Sequence, residues 1–167
     1  MYTSISSFIE DWNQEAASTQ KVLDALTDQS LQQEVSPDDR TLGRIAWHVV
    51  TSTPGMLNEF GVNVENVENA GTVPSSANQI AETFRKVSTD TIDAVKQQWT
   101  DESLQEMKNV FGMDMQKAVT LSLLIKHIIH HRGQMTVLMR QAGLNVPGVY
   151  GPSRDEWSQM GMAAPAL

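Results

Sequence analysis

"LLIKHIIHHRGQMTVLMRQAG", residues 123–143, decides how this chain is read. Apolar residues recur through it at intervals of three and four, as in a helix with a buried face. Yet three of the chain's four histidines, His127, His130 and His131, stand within five positions of it. At about 100° per residue, Thr120, Leu124, His127, His131, Gln134 and Leu138 share one narrow stripe, so two imidazoles occupy the apolar face. His130 lies about 60° off that stripe. The pattern predicts a helix from near Gln116 to Gly143, with the glycine at the C′ position and Pro147 following.

Upstream, the segment from about Ser4 to Leu26 places Ile5, Phe8, Trp12, Ala16, Val22 and Leu26 at helical spacings between polar residues. Thr41 is placed to cap a second helix through "LGRIAWHVVTSTPGMLNEF", residues 42–60, and Pro54 inside it is expected to kink the helix or to end its first half. "GVNVENVENAGTVPSSA", residues 61–77, has no sustained period and reads as a long loop. Ser75 or Ser76 then caps a third helix running to about Trp99. "TDESLQEMKNVFGMDMQ", residues 100–116, reads as a connection around Gly112, with room for a short extended piece. In the tail, Ser153 followed by Glu156 has capping-box spacing for one short helical turn. The expectation is an all-α four-helix bundle with long connecting loops, formed as a single domain over residues 1–167.

The composition is that of an ordinary globular chain, with 40% of 167 residues apolar and 19% charged. A net charge of −8 without any Lys/Arg cluster argues against nucleic acid or an anionic membrane as partner. The absence of cysteine excludes disulfides and thiolate ligands together, so a metal must be held by imidazole, carboxylate or amide groups. "MYTSISSFIEDWNQE" lacks the basic and apolar regions of a secretory signal, and no apolar run approaches the roughly 20 residues of a membrane span. The expected location is cytoplasmic.

The fourth histidine gives the pair on the last helix a partner. Thr41, Ile45, His48, Ser52, Gly55 and Glu59 form one stripe of the second helix, so His48 points inward if that stripe faces the core. Ser52 and Gly55, both small, are expected to leave space beside it. Two imidazoles four residues apart can donate to one metal ion, and a third from a facing helix completes a three-ligand site with a position left open. The competing reading is a set of partly buried imidazoles satisfied by hydrogen bonds.

Together, "TLGRIAWHV" (41–49), "HIIHHRGQMTVLMRQAG" (127–143) and "PGVYGPSRDEW" (147–157) resemble the DinB family of metal-dependent proteins, in order and over nearly the whole chain. The resemblance implies an up-and-down four-helix bundle, commonly a homodimer, holding a divalent metal such as nickel or zinc on His48, His127 and His131. The related superfamily includes enzymes that use low-molecular-weight thiols to transfer or isomerise groups; other members have no assigned reaction. Here any thiol must come from solution. The expected function is a metal-dependent enzyme activating a small thiol, as a transferase does, or water, as a hydrolase does. The rivals are a stress-associated protein that binds a metal or small molecule without turnover, and a metal that only staples two helices.

Gln134, one turn beyond His131, is placed to orient a ligand or a bound water, or else to bond to a neighbouring helix. Arg132 and Arg140 read as solvated charges, with carboxylate pairing as the alternative. Glu59 is too far along its helix to join the histidines. Trp47, Tyr150 and Trp157 are candidates to wall a pocket over the metal, against the plainer reading that they fill core or interface volume. The nine methionines read as flexible core filler.

Overall fold

The computed structural model describes residues 1–166. The bundle is built from α1 (Ile5–Asp24), α2 (Leu42–Phe60), α3 (Ala77–Gln98) and α4 (Lys117–Gln141). Local chemistry sets their starts. The hydroxyls of Ser4, Thr41 and Ser76 accept from the backbone N–H groups of Ser7, Arg44 and Gln79, each satisfying one donor of a first helical turn. The fourth helix has no side-chain cap; Lys117 N–H instead donates to the carbonyl of Glu106 at 3.0 Å. It ends in a Schellman motif, with Leu144 N–H on Met139 O, Gly143 N–H on Arg140 O, and Gly143 at φ +76°, where a Cβ is strained.

Contacts between the ends fix the topology. Ile5 N–H donates to Asp101 and Ala77 N–H donates to Asp28, so α1 begins where α3 ends and ends where α3 begins. Gln98 exchanges two hydrogen bonds with Asn63, which puts the ends of α2 and α3 together. Glu59 accepts from Phe111, which puts the end of α2 beside the start of α4. The helices therefore run up, down, down, up: the four-helix bundle is the expected one, but α2 and α3 are parallel where a strictly up-and-down chain would alternate. The closely packed pairs are α1 with α3 and α4, and α2 with α3 and α4; α1–α2 and α3–α4 lie across the diagonals. Because α2 and α3 run the same way, residues 61–76 must return the length of the bundle, which accounts for the long loop.

One hydrophobic cluster fills the centre, including Phe8, Trp12, Phe60 and Phe84, all fully buried. Trp12 also donates its indole N–H to Ser88 O at 3.1 Å, so the largest core side chain has its polar atom satisfied. Pro54 does not interrupt α2, which is continuous from Leu42 to Phe60. Proline deletes only the bond to the Val50 carbonyl, and its ring is buried among the packed helices.

The extended piece expected near Gly112 is a complete hairpin. Strands β1 (Met107–Val110) and β2 (Met113–Gln116) pair antiparallel, Val110 facing Met113, across a turn in which Phe111 (φ +52°) and Gly112 (φ +80°) are both left-handed. That is the backbone of a type I′ turn, usually written Asn-Gly; a phenylalanine in the first place hides it from sequence reading. In the tail, a 3-10 turn covers Trp157–Met160. Half of the capping box is realised: Glu156 accepts from Ser153 N–H at 3.0 Å, while the Ser153 hydroxyl finds no partner.

Candidate metal centre

Helices α2 and α4 are antiparallel neighbours, so the second turn of α2 meets the middle of α4. His48 there faces His127 and His131. Its Nε2 lies 3.2 Å from Nε2 of His127, and the ring centroids are 5.1 Å (His48–His127), 4.6 Å (His48–His131) and 4.5 Å (His127–His131) apart. One nitrogen from each ring lies within 4.8 Å of the others. All three side chains are half-buried, and His130 is exposed at the cluster's edge.

The hydrogen bonds around the rings leave their lone pairs free. Nδ1 of His131 stands 2.7 Å from Oε1 of Gln134. A carbonyl oxygen only accepts, so the proton is on Nδ1 and Nε2 carries a lone pair. His127 Nδ1 is buried without a partner, and the two facing Nε2 atoms can share at most one hydrogen bond. Left alone, the cluster is under-satisfied, and that costs free energy in a half-buried site.

Burial is the main cause that lowers all three imidazole pKa values. His48 is pushed down to about 4 by burial and then by repulsion from His131, Arg40 and Arg44. His127 is also lowered to about 4, by burial and then by His131, His48, His130 and Arg40. His131 is lowered by burial, with the Gln134 hydrogen bond opposing the shift. At neutral pH the three rings are uncharged donors.

These properties fit a divalent cation. Imidazole nitrogens bound at about 2.0–2.1 Å in a tetrahedral arrangement stand about 3.3–3.4 Å apart, close to the spacing already present between His48 and His127. A ligand histidine whose other nitrogen donates to a fixed acceptor, as His131 does to Gln134, is the usual supporting arrangement. His131 and Gln134 also open onto a groove of about 530 Å³ floored by Ile45 and Leu138. Val35 and Val137 flank its mouth, and Asp39 and Arg40 face α4 across it.

A three-histidine cluster in a four-helix bundle narrows the choice of relatives, and the DinB family model matches residues 1–162. The chain belongs to the DinB family. It is 44% identical over all 167 residues to "Uncharacterized protein YrdA" of Bacillus subtilis (strain 168), covering that protein completely. A DinB-like protein of Bacillus cereus ATCC 10987 with a crystal structure is 50% identical, with a TM-score of 0.86 over 90% of this chain and 100% of that one. The DinB-like protein YjoA of Bacillus subtilis shares the fold at 18% identity, with a TM-score of 0.66 over 86% and 96% of the two chains. The DinB bundle and the three-histidine cluster are compatible with metal binding.

Within this DinB-family bundle several neighbouring residues sit elsewhere than the sequence led us to expect. Arg132 is not a solvated charge: it is 2% exposed, pairs with Glu15 Oε2 at 2.6 Å and donates to Thr19 Oγ1 and the Glu15 carbonyl. Its helical neighbours Ile128, Met135 and Met139 are buried, and that spacing was the available signal. Helix α4 is covered on two sides; it turns imidazoles toward α2 and a guanidinium toward α1. Arg140 is exposed and donates to Thr136 O. Gly55 is exposed, so the space expected beside His48 does not form there. The aromatics do not wall the histidine groove. Trp47 donates to Ala70 O on the other side of α2, Tyr150 bonds to Arg132 and Glu15, and Trp157 belongs to the tail's 3-10 turn.

The lowered imidazole pKa values make the metal-free protein acid-sensitive. An unfolded histidine titrates near 6.5. Between that pH and about 4 the unfolded chain binds protons that the folded His48 and His127 refuse. Their contribution to stability is complete above about 6.5 and is lost as pH falls to about 4. Urea titrations of metal-free protein between these limits should show a falling midpoint, and a His48→Gln/His127→Gln variant should show a shallower fall. Equal slopes would mean the rings are not held neutral by the fold.

Proposed function

We propose that this chain is a divalent-metal protein, with nickel or zinc the ion that suits its all-imidazole donor set, and that it activates a small thiol from solution. The observation that carries the reading is the convergence of His48, His127 and His131 to within 4.8 Å, with His131 opening onto a groove of about 530 Å³. His48, His127 and His131 would hold the ion. A bound divalent cation supplies Lewis acidity and favours the deprotonated form of a thiol or water that reaches it.

The protein's own residues set the stage for that chemistry. Gln134 holds His131 in the Nδ1–H tautomer, so its Nε2 keeps a lone pair. Burial and mutual repulsion keep the imidazoles unprotonated, so protons do not compete for them at neutral pH. Ile45 and Leu138 give the groove an apolar floor that receives the carbon skeleton of a substrate. Transfer of an electrophilic group to the thiol is the reaction class; hydrolysis is the alternative on the same site. In this reading the 167 residues act as one unit, in the cytoplasm and as a homodimer.

Metal-loaded protein purified without an affinity tag, incubated with an activated aryl halide with and without a small thiol, tests the reading. Consumption that requires the thiol supports transfer. Consumption without it supports hydrolysis. Stoichiometric binding with no consumption across a broad panel would leave a metal-binding or ligand-holding protein.

A further inference from the structure

The groove beside the histidines contains one cation that the fold leaves unused. Of the six arginines in the sequence, five have partners. Arg85 pairs with Asp24 and Glu82, Arg132 with Glu15, and Arg154 with Asp155. Arg44 donates to Gly71 O and Arg140 to Thr136 O. Arg40 has neither ion pair nor hydrogen bond among the described residues, although the chain carries a net charge of −8 and acidic groups are plentiful. Asp39 beside it is engaged by the Ser36 hydroxyl at 2.7 Å.

Its position gives the free guanidinium a direction. Arg40 lines the groove opposite His131 and Gln134, on the segment that leads into α2, and its charge reaches all three imidazoles. Leu138 on the floor and Val137 at the mouth give the same groove its apolar lining. A guanidinium offers a planar fork of donors matched to carboxylate, sulfonate or phosphate oxygens.

We propose that the groove takes a small molecule whose anionic group is held by Arg40 while its apolar portion lies on Val137 and Leu138 and its reactive end reaches the three histidines. This rests on the metal-centre reading above for the reactive end alone. The anion site is a property of Arg40 and the groove, and it selects an anionic cosubstrate over a neutral one of the same length.

The test compares parent and Arg40→Gln proteins loaded with cobalt, titrated with 2-mercaptoethanesulfonate and with neutral 2-mercaptoethanol. Sulfonate is a weak metal ligand, so any preference reports the anion site, and the cobalt absorption bands report the thiol. The parent should bind the sulfonate roughly tenfold or more tightly, the value of one charge-assisted hydrogen bond. R40Q should level the two affinities without changing cobalt content or affinity for the neutral thiol. Arg40→Lys should keep part of the preference. Equal affinities in the parent, or a preference that survives R40Q, overturn the proposal as the behaviour of an ordinary solvated arginine. If neither thiol alters the cobalt spectrum, thiol activation fails on its own. Calorimetric titration with propane-1-sulfonate then decides the anion site, by binding that R40Q abolishes or by no binding at all.

Discussion

Replacing His127 by alanine should strip the protein of its metal. Protein purified without a tag and dialysed against trace nickel or zinc should retain about one equivalent per chain, and His48→Ala, His127→Ala and His131→Ala should each retain less than about a tenth of that. The effect is large because a three-ligand site has no spare donor: removing one ring leaves two half-buried nitrogens and more water around the ion. Gln134→Ala should weaken affinity about 10–100-fold while keeping the three donors, since it removes only the acceptor that fixes the His131 tautomer. His130→Ala should change occupancy little, because its ring meets His131 from the exposed side. Elemental analysis beside circular dichroism separates these outcomes from unfolding. Full occupancy in all three alanine variants would place the metal elsewhere.

Arg132→Ala should be the most destabilising single change at a charged position. It leaves the Glu15 carboxylate, 12% exposed, without the guanidinium 2.6 Å away, and it removes the N–H that donates at 2.7 Å to the Tyr150 hydroxyl, which itself donates to the same carboxylate oxygen at 2.8 Å. Breaking a buried pair from one side costs about 3–5 kcal/mol, because the remaining charge stays in a poorly solvated place. Urea denaturation should show that loss. A paired Glu15→Leu/Arg132→Met replacement should recover most of it, since two apolar groups of similar volume leave no stranded charge. Tyr150→Phe should cost about 1.5–3 kcal/mol, since it removes a hydroxyl bonded to two charged groups, and should raise proteolysis of the tail that Tyr150 ties to α1. A loss under about 1 kcal/mol for Arg132→Ala would show that Glu15 reaches water in the variant.

Much of this arrangement was legible in the residues. Thr41, Ser76 and Gly143 marked helix ends because capping and left-handed backbone are local chemistry, and the spacing of His127 and His131 put both rings on one face of α4 before any packing was known. His48 required the phase of a second helix, which Ile45 and the buried residues around it supplied. What did not show were features set by the partner rather than by the segment. Arg132 reads as a surface charge until α1 is known to present Glu15 and Thr19 to it. The hairpin was obscured by a phenylalanine in a left-handed position that asparagine or glycine usually fills. Arg40 drew no notice in the sequence, because a lone arginine in a polar loop has meaning only beside the groove it lines. The order of helix directions likewise depends on which ends meet, and no local pattern encodes that.

In the proposed reading one divalent ion sits among His48, His127 and His131 with part of its coordination left to solvent. Anomalous difference density from a crystal of the metal-loaded protein, recorded at the edge of that metal, tests it most directly. A single peak is expected, bonded to one nitrogen from each of the three rings, with at least one further position occupied by water or an added thiol. A peak outside the cluster, or an ion enclosed by four protein donors with no solvent position, would contradict it.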